Sequence, residues 1–208
     1  MVITYHGGQC FKLTRGDTVV AFDPISKEKG AVWSAPKFGA NVVFSSMHHP
    51  NFSGFAQMQG AQRTPFIVHG PGEYEIGEVT ARGFGVRTTY EDTDRFMTIY
   101  QIDFDGMNIV FLGPLSDPDI SSAILGSLSD IDILFVPIGD GDVLSPPQAS
   151  KLATKLEARL VIPMHYDKAA LETFIKEEGD GNSKPQEKLT IKKKDLATAT
   201  GELVVLAY

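Results

Sequence analysis

Cysteine and long apolar runs are the scarcest features of this 208-residue sequence. The single cysteine, Cys10, has no partner in the chain, so an internal disulfide is excluded. No apolar stretch approaches the roughly 20 residues that cross a bilayer, which argues against a membrane-spanning protein. The first residues also lack the basic region, apolar run and cleavage site of a signal peptide. Together these absences predict a cytoplasmic protein in which Cys10 is a buried structural thiol.

Basic residues are also fewer than acidic ones in this sequence. Lysine and arginine number 19 against 26 acidic residues, which gives a formal charge of −7. Proteins that bind nucleic acid normally carry a basic patch, so a nucleic-acid partner is not expected. The one basic run, at 192–194, is offset by Glu187 and Asp195 and is predicted to be a solvated strand edge.

Short β-branched and aromatic runs, separated by turn residues, dominate the first part of the chain. They include a strand at 79–84 and the clearest hairpin, which joins 97–104 to 107–112 through Asp105-Gly106. The second part changes character and alternates apolar strands with helical patterns. Strands are predicted at 131–137 and 160–163, and helices at 120–128, 145–158 and 169–178.

This order of elements predicts two sheets packed face to face with helices outside, which is a four-layer α/β sandwich. Hydrophobic residues make up 42% of the sequence, enough for one sizeable core. Linkers and low-complexity tracts are absent from the sequence. We therefore expect a single domain over 1–208, with two β-rich halves at roughly 1–110 and 111–208.

The candidate chemistry lies in five histidines, none of which falls in a known zinc motif. The adjacent pair His48 and His49 cannot easily serve one ion, because neighbouring side chains of an extended segment point to opposite sides. His49 and His165 each follow the end of an apolar strand, where ligand sites of α/β proteins gather. The residues alone thus leave two alternatives: ordinary surface and core histidines, or a common cleft containing His49 and His165.

Several motifs, in their order and spacing, resemble the metallo-β-lactamase superfamily, and specifically its short, single-domain group of lactonase-like, metal-dependent hydrolases. The resemblance covers nearly the whole chain. It rests on the following segments: Ile3-Thr4-Tyr5-His6-Gly7 leading to Cys10-Phe11, Phe22-Asp23-Pro24, residues 42–54, Gly70-Pro71-Gly72-Glu73-Tyr74-Glu75, Asp105-Gly106 with Leu112-Gly113, residues 131–139, and Ile162-Pro163-Met164-His165-Tyr166. The implied fold is the four-layer αββα sandwich of the metallo-β-lactamase type.

The resemblance also implies a pair of zinc ions that activate a water for hydrolysis. In this sequence most of the corresponding ligand positions are replaced. The family's His-x-His-x-Asp-His loop retains only His49, and the final histidine is retained as His165. The replaced positions are Met47, Asn51 and Phe52 in the loop, Thr88 for the next histidine, and Pro114 for the bridging aspartate. Each ion would keep one protein ligand, whereas a catalytic zinc needs about three.

We therefore expect a hydrolase-like fold that has lost the dinuclear zinc centre and serves as a ligand-binding, regulatory or assembly protein. No cofactor is expected, and no catalytic residue is assigned. A zinc ion, if bound, would use the vestigial pair His49 and His165. The expected ligand cleft is lined by His48, His49, Asn51, Thr88 and His165.

The expected partners are a small anionic or sugar-like ligand and a second copy of the chain or a homologue. The alternative is a metal-dependent hydrolase of a lactone, ester or phosphoester bond. It would use a rebuilt mononuclear site formed by His48 or His49, His165, and Asp117 or Asp119.

Overall fold

Two mixed β-sheets form the body of the protein in a computed structural model, which describes residues 1–60, 64–179 and 183–208. The first sheet has the strand order β12-β1-β2-β3-β4-β5. Its strands are β1 Val2–Tyr5, β2 Phe11–Arg15, β3 Thr18–Phe22, β4 Val42–Ser45, β5 Phe66–His69 and β12 Leu189–Thr190. Strands β1 to β3 pair antiparallel, and β3, β4 and β5 pair parallel.

The second sheet has the order β13-β11-β10-β9-β8-β7-β6. Its strands are β6 Gly72–Ile76, β7 Val79–Tyr90, β8 Thr93–Phe104, β9 Met107–Phe111, β10 Ile133–Pro137, β11 Leu160–Met164 and β13 Glu202–Leu203. Strands β6 to β9 form antiparallel hairpins, whereas β9, β10, β11 and β13 are parallel. The predicted halves divide the chain near residue 110, but the change from the first sheet to the second falls between β5 and β6.

Among the described residues, three α-helices flank the second sheet, as the alternation of strand and helix predicts. They are α1 Ser122–Ser127, α2 Pro146–Leu156 and α3 Lys168–Glu177. Helix α1 is shorter than predicted because Ser121 caps it, accepting a bond from the Ile124 N–H at 3.3 Å. Among the described residues, no helix combines the length and the hydropathy needed to cross a bilayer.

Aromatic side chains fill the space between the sheets. Phe22 of β3 stacks on Phe111 of β9, with ring centres 4.4 Å apart and planes 8° from parallel. A second apolar cluster joins the second sheet to its helices. The outer face of the first sheet is covered by loop residues and the 3₁₀ turn Phe55–Met58. In the part of the chain that the structure describes, the outer layer on that side of the sandwich is a thin layer of loops and this 3₁₀ turn.

The fold brings the carboxyl ends of two parallel strand groups to one edge of the sandwich. His49 lies four residues beyond β4, and His165 follows β11 directly. The long hairpin of β7 and β8 reaches the same region, because both strands extend beyond the predicted 79–84 and 97–104. Its tip consists of Tyr90, Glu91 and Asp92, and the two acids adopt positive φ values of 51° and 53°.

Candidate functional site

The loop after β4 is anchored by a buried acid, Asp23, at the end of β3. Ser46 donates to the Asp23 carboxyl group from its backbone N–H at 2.6 Å and from its hydroxyl at 2.5 Å. Burial raises the pKa of Asp23 to about 8, although the two bonds from Ser46 oppose the shift. Asp23 is thus a structural residue of this loop.

The two adjacent histidines of the loop diverge. His49 is buried, whereas His48 is exposed and its ring centre lies 6.1 Å from that of His69. The loop then turns tightly, since Phe52 and Ser53 both donate their N–H groups to the carbonyl oxygen of His49. The structure therefore places His49, and not His48, among the buried groups at this edge.

Both ring nitrogens of His49 have partners within the protein. Nδ1 accepts from the Asn51 backbone N–H at 3.2 Å, so Nε2 carries the proton in the neutral ring. Nε2 lies 3.2 Å from a carboxylate oxygen of Glu91 at the hairpin tip, to which it donates. His49 thus ties the loop after β4 to the β7–β8 hairpin.

Asn51 occupies the aspartate position of the ligand loop and links three segments. Its side-chain oxygen accepts from the Val32 N–H at 2.8 Å, and its amide nitrogen donates to the Tyr90 hydroxyl at 2.9 Å. The residue is fully buried. Burial raises the pKa of Tyr90 to about 12, so its hydroxyl stays protonated. Asn51 therefore provides one acceptor and one donor that are both satisfied internally.

Thr88 lies beside the other replaced ligand position. Its hydroxyl donates to the carbonyl oxygen of Pro114 at 2.7 Å and accepts from the Ser116 N–H at 3.1 Å. Thr88 and Pro114, which the resemblance aligns with a histidine and a bridging aspartate, are thus in contact. They hold the loop after β9 against β7 through a neutral hydrogen bond.

His165 has a strained backbone and a polar neighbour. Its φ of +53° places it in the left-handed region, and its carbonyl oxygen would lie 2.1 Å from a Cβ on Gly139, so only glycine fits there. Nδ1 lies 3.0 Å from the amide nitrogen of Gln9, which donates to it. Burial lowers the pKa of His165 to about 4, although the charge of Asp142 opposes the shift.

Aromatic rings occupy the region between the two imidazoles. The ring centre of Phe52 lies 5.7 Å from that of His49 and 6.3 Å from that of His165. Tyr90 is similarly placed, at 5.1 and 6.0 Å. Trp33, from the long loop after β3, meets His165 edge-on at 4.8 Å. Aromatic rings therefore lie between the polar groups of the candidate cleft, which we define as the region around His49, Asn51, Thr88 and His165.

Four of these residues were not anticipated from the sequence: Gln9, Trp33, Tyr90 and Glu91. The hairpin tip carries two of them, and the residues that lead to it, 85–89 and 93–95, contain one apolar side chain, Val86. Gln9 stands between two glycines and an apolar run, and this position is the one sequence feature that indicates a buried side-chain amide. Trp33 gave no signal, since its loop has no regular pattern.

Comparison with known proteins identifies the family. Residues 2–165 match the family model described as a beta-lactamase superfamily domain. The chain belongs to the beta-lactamase superfamily. A UPF0173 metal-dependent hydrolase of Listeria innocua is 27% identical over 198 residues, covering 80% of this chain and 86% of the relative. A protein of the same description from Bacillus cereus is 23% identical over 199 residues, with the same coverage.

Solved structures of the superfamily share the fold. A metallo-beta-lactamase superfamily protein from Thermotoga maritima matches with a TM-score of 0.73 and 23% identity, covering 99% of this chain and 97% of its own. The metallo-beta-lactamase fold protein YhfI from Bacillus subtilis matches with a TM-score of 0.61 and 13% identity, covering 99% and 96%. The predicted αββα sandwich of the metallo-β-lactamase type is confirmed.

The donor atoms of this superfamily member do not match a dinuclear zinc site. Zinc requires three or four nitrogen, sulfur or carboxylate ligands around one point. Across the described parts of the chain, no three His, Cys, Asp or Glu side chains are grouped in this way. Asp117 and Asp119, considered for a rebuilt site, are exposed, and Asp117 accepts the N–H of Asp119 at 2.9 Å.

Proposed function

We propose that this superfamily member lacks the dinuclear metal centre and acts by binding, as a ligand-binding protein with a regulatory or assembly role. The observation that carries the proposal is the bonding of His49, whose two ring nitrogens are both used within the protein. A metal ion would have to displace Glu91 from Nε2 or the Asn51 N–H from Nδ1. Phe52, at a former ligand position, has no metal-ligating atom that could offset the loss of a His49 hydrogen bond.

The proposal also accounts for the groups around His49. Asn51 is neutral and cannot act as a general base, and its oxygen and its nitrogen are each engaged, with Val32 and Tyr90 respectively. The hydrogen bonds and aromatic contacts therefore join the segments that metal ligands join in the family. A fold stabilised in this way does not need an ion to order its ligand loop.

The alternative is a metal-dependent hydrolase with one metal ion, acting on a lactone, ester or phosphoester bond. The names of the Listeria and Bacillus relatives favour it. It would require His49 or His48 to leave its present position and join His165 with a carboxylate. The bonding of His49 makes this rearrangement costly, so we place it second.

Metal content of the purified protein tests the proposal. We expect well below one zinc or manganese per chain by elemental analysis, even after incubation with either ion and desalting. His165→Ala serves as the control, because any ion in the cleft would need this imidazole. About one zinc per chain that is lost in His165→Ala would overturn the proposal and support the mononuclear hydrolase.

A further inference from the structure

The amide of Gln9 is an unsatisfied polar group at the base of the candidate cleft. Gln9 is fully buried, and its side-chain oxygen has no hydrogen-bond partner among the described residues. The side-chain oxygens of Gln57 and Glu178 share this property, but both residues are partly exposed. A buried acceptor without a partner costs about 1–3 kcal/mol, so a donor is expected to reach Gln9 in the functional state.

If the amide oxygen and nitrogen of Gln9 were exchanged, one buried polar atom of the side chain would still have no hydrogen-bond partner in the described part of the chain. As placed, the nitrogen donates to Nδ1 of His165, and the oxygen is unpaired. In the opposite orientation the oxygen would accept from Nδ1–H, and the nitrogen would be left without a partner. In the orientation observed, Nε2 of His165 carries the free proton, and no described residue accepts it.

A strap of chain covers this pair of residues. We call residues 27–36 the strap, and it has no helix or strand. Two contacts attach it to the cleft: the Val32 N–H donates to Asn51, and the Trp33 ring packs on Gly8 and meets His165. A Cβ on Gly8 would lie 2.8 Å from the indole ring, so glycine is what admits Trp33. Val32, next to it, is 71% exposed.

The surroundings favour a neutral, planar ligand. Trp33, Phe52 and Tyr90 supply aromatic walls, which suit a flat ring. Two acids lie beside the histidines of the site: Glu91 bonds to His49, and Asp142 accepts from the Glu91 N–H at 2.9 Å and acts electrostatically on His165. An anion would be repelled by these carboxylates, and burial of its charge would be unfavourable.

We propose that Gln9 and His165 form a binding site for a small neutral aromatic ligand that carries a hydrogen-bond donor and an acceptor, such as an aromatic amide, and that the strap opens at Trp33 to admit it. The ligand donates to the Gln9 oxygen and accepts from Nε2–H of His165. This inference rests on the proposed metal-independent function, because a metal ion in the cleft would occupy His165.

Fluorescence of Trp33, the only tryptophan in the sequence, reports on this site directly. Benzamide is the probe, and benzoate is its anionic counterpart of the same size. We expect a saturable change in Trp33 emission with benzamide, and at least a tenfold weaker response to benzoate. Gln9→Met should abolish the saturable change while keeping the buried volume similar.

Gln57→Met provides the matched control, because Gln57 also has an unpaired side-chain oxygen but lies on the 3₁₀ turn outside the cleft. It should bind benzamide as the unaltered protein does. Thermal unfolding separates binding from folding: Gln9→Met should be folded, with a Tm at or above that of the unaltered protein, because it lacks the unpaired amide oxygen.

Three results would overturn the inference: no saturable response up to the solubility limit of benzamide, equal binding of benzoate, or unchanged binding by Gln9→Met. Metal analysis of the same preparation tests the ligand site and the metal-independent function separately. A metal-free protein that does not bind benzamide would contradict only the proposed ligand site. A protein with zinc bound through His165 contradicts the proposed function as well.

Discussion

Two fully buried acids of this protein differ in the groups that offset the burial of their carboxyl groups. Asp132 is paired with Arg159 and Lys193 and accepts from the Asn108 N–H at 2.8 Å. Burial raises its pKa, but these partners outweigh burial and lower the pKa overall. Asp23 has only the two donors of Ser46, and burial raises its pKa to about 8. The two acids therefore affect stability in opposite directions as the pH changes.

The Asp23→Asn variant should remove one part of the pH dependence. The pKa of Asp23 lies near 4 in the unfolded chain and near 8 in the folded one, so its stabilising protonated form is lost as the pH rises through 8. We expect the variant to be more stable than the unaltered protein by about 1 kcal/mol at pH 5 and by a few kcal/mol at pH 9, at ~1.4 kcal/mol per pKa unit. Urea unfolding at both pH values measures the difference.

Asparagine is a suitable replacement because it tolerates the positive φ of 38° at this position and keeps a donor and an acceptor for Ser46. All other titrating groups are common to both proteins, so the comparison isolates Asp23. Equal stabilities at pH 9 would show that the carboxyl group ionises at its ordinary pKa and that water reaches it.

The roles of individual site residues were only partly predictable from the sequence. The positions of His49 and His165 at strand ends followed from the apolar runs before them. Their partners did not, because Glu91 is 42 positions from His49, and Gln9 is 156 positions from His165. Such contacts depend on how the two sheets and the hairpin meet, which local pattern does not encode.

At the scale of elements, the missed ends of two strands explain the missed residues. The predicted strands 79–84 and 97–104 correspond to the parts of β7 and β8 that lie within the sandwich. Beyond it, most residues are polar or glycine in sequence, although Val86, Thr88 and Tyr90 still alternate with exposed residues along β7. This protruding part of the hairpin brings Tyr90 and Glu91 to the loop after β4.

The strap is the other element that the sequence did not reveal, and Asn51 is predicted to hold it. Asn51→Ala removes the acceptor of the Val32 N–H and the donor to Tyr90. We expect a loss of about 1–3 kcal/mol in the free energy of unfolding, since the Tyr90 hydroxyl loses a partner inside the protein. Trp33 should also become more accessible to quenching by acrylamide, because the strap loses its backbone attachment.

Ser34→Ala is the control for this experiment, as it changes an exposed strap residue. It should leave both readouts within the usual small range for surface changes, about 0.5 kcal/mol in stability. A destabilised Asn51→Ala protein with unchanged quenching of Trp33 would indicate that packing on Gly8 alone holds the strap.

At the scale of the whole molecule, the fold was the most predictable feature, and its use the least. The αββα sandwich is predicted from hairpins in the first part of the chain and from strand–helix alternation in the second. Any sequence of this fold shows such a pattern, because each strand and helix must bury an apolar face. The chemistry depends on a few positions at one edge. There Met47 and Phe52 belong to the same apolar cluster as Tyr90, so the loop after β4 contributes to the core.

This change predicts how the stability of the whole molecule responds to metal. A ligand that binds only the folded state at a hundredfold above its Kd adds about 2.7 kcal/mol, which raises the Tm of a domain of this size by ~5–10 °C. Because His49 is bonded on both nitrogens and Phe52 and Tyr90 are packed beside it, we expect the same Tm in EDTA and in excess zinc. Calorimetry or thermal unfolding followed by circular dichroism measures it, with His165→Ala as the control. An increase of several degrees with zinc that disappears in His165→Ala would mean that the cleft opens to bind an ion, and that the aromatic packing is weaker than the contacts of Phe52 and Tyr90 indicate.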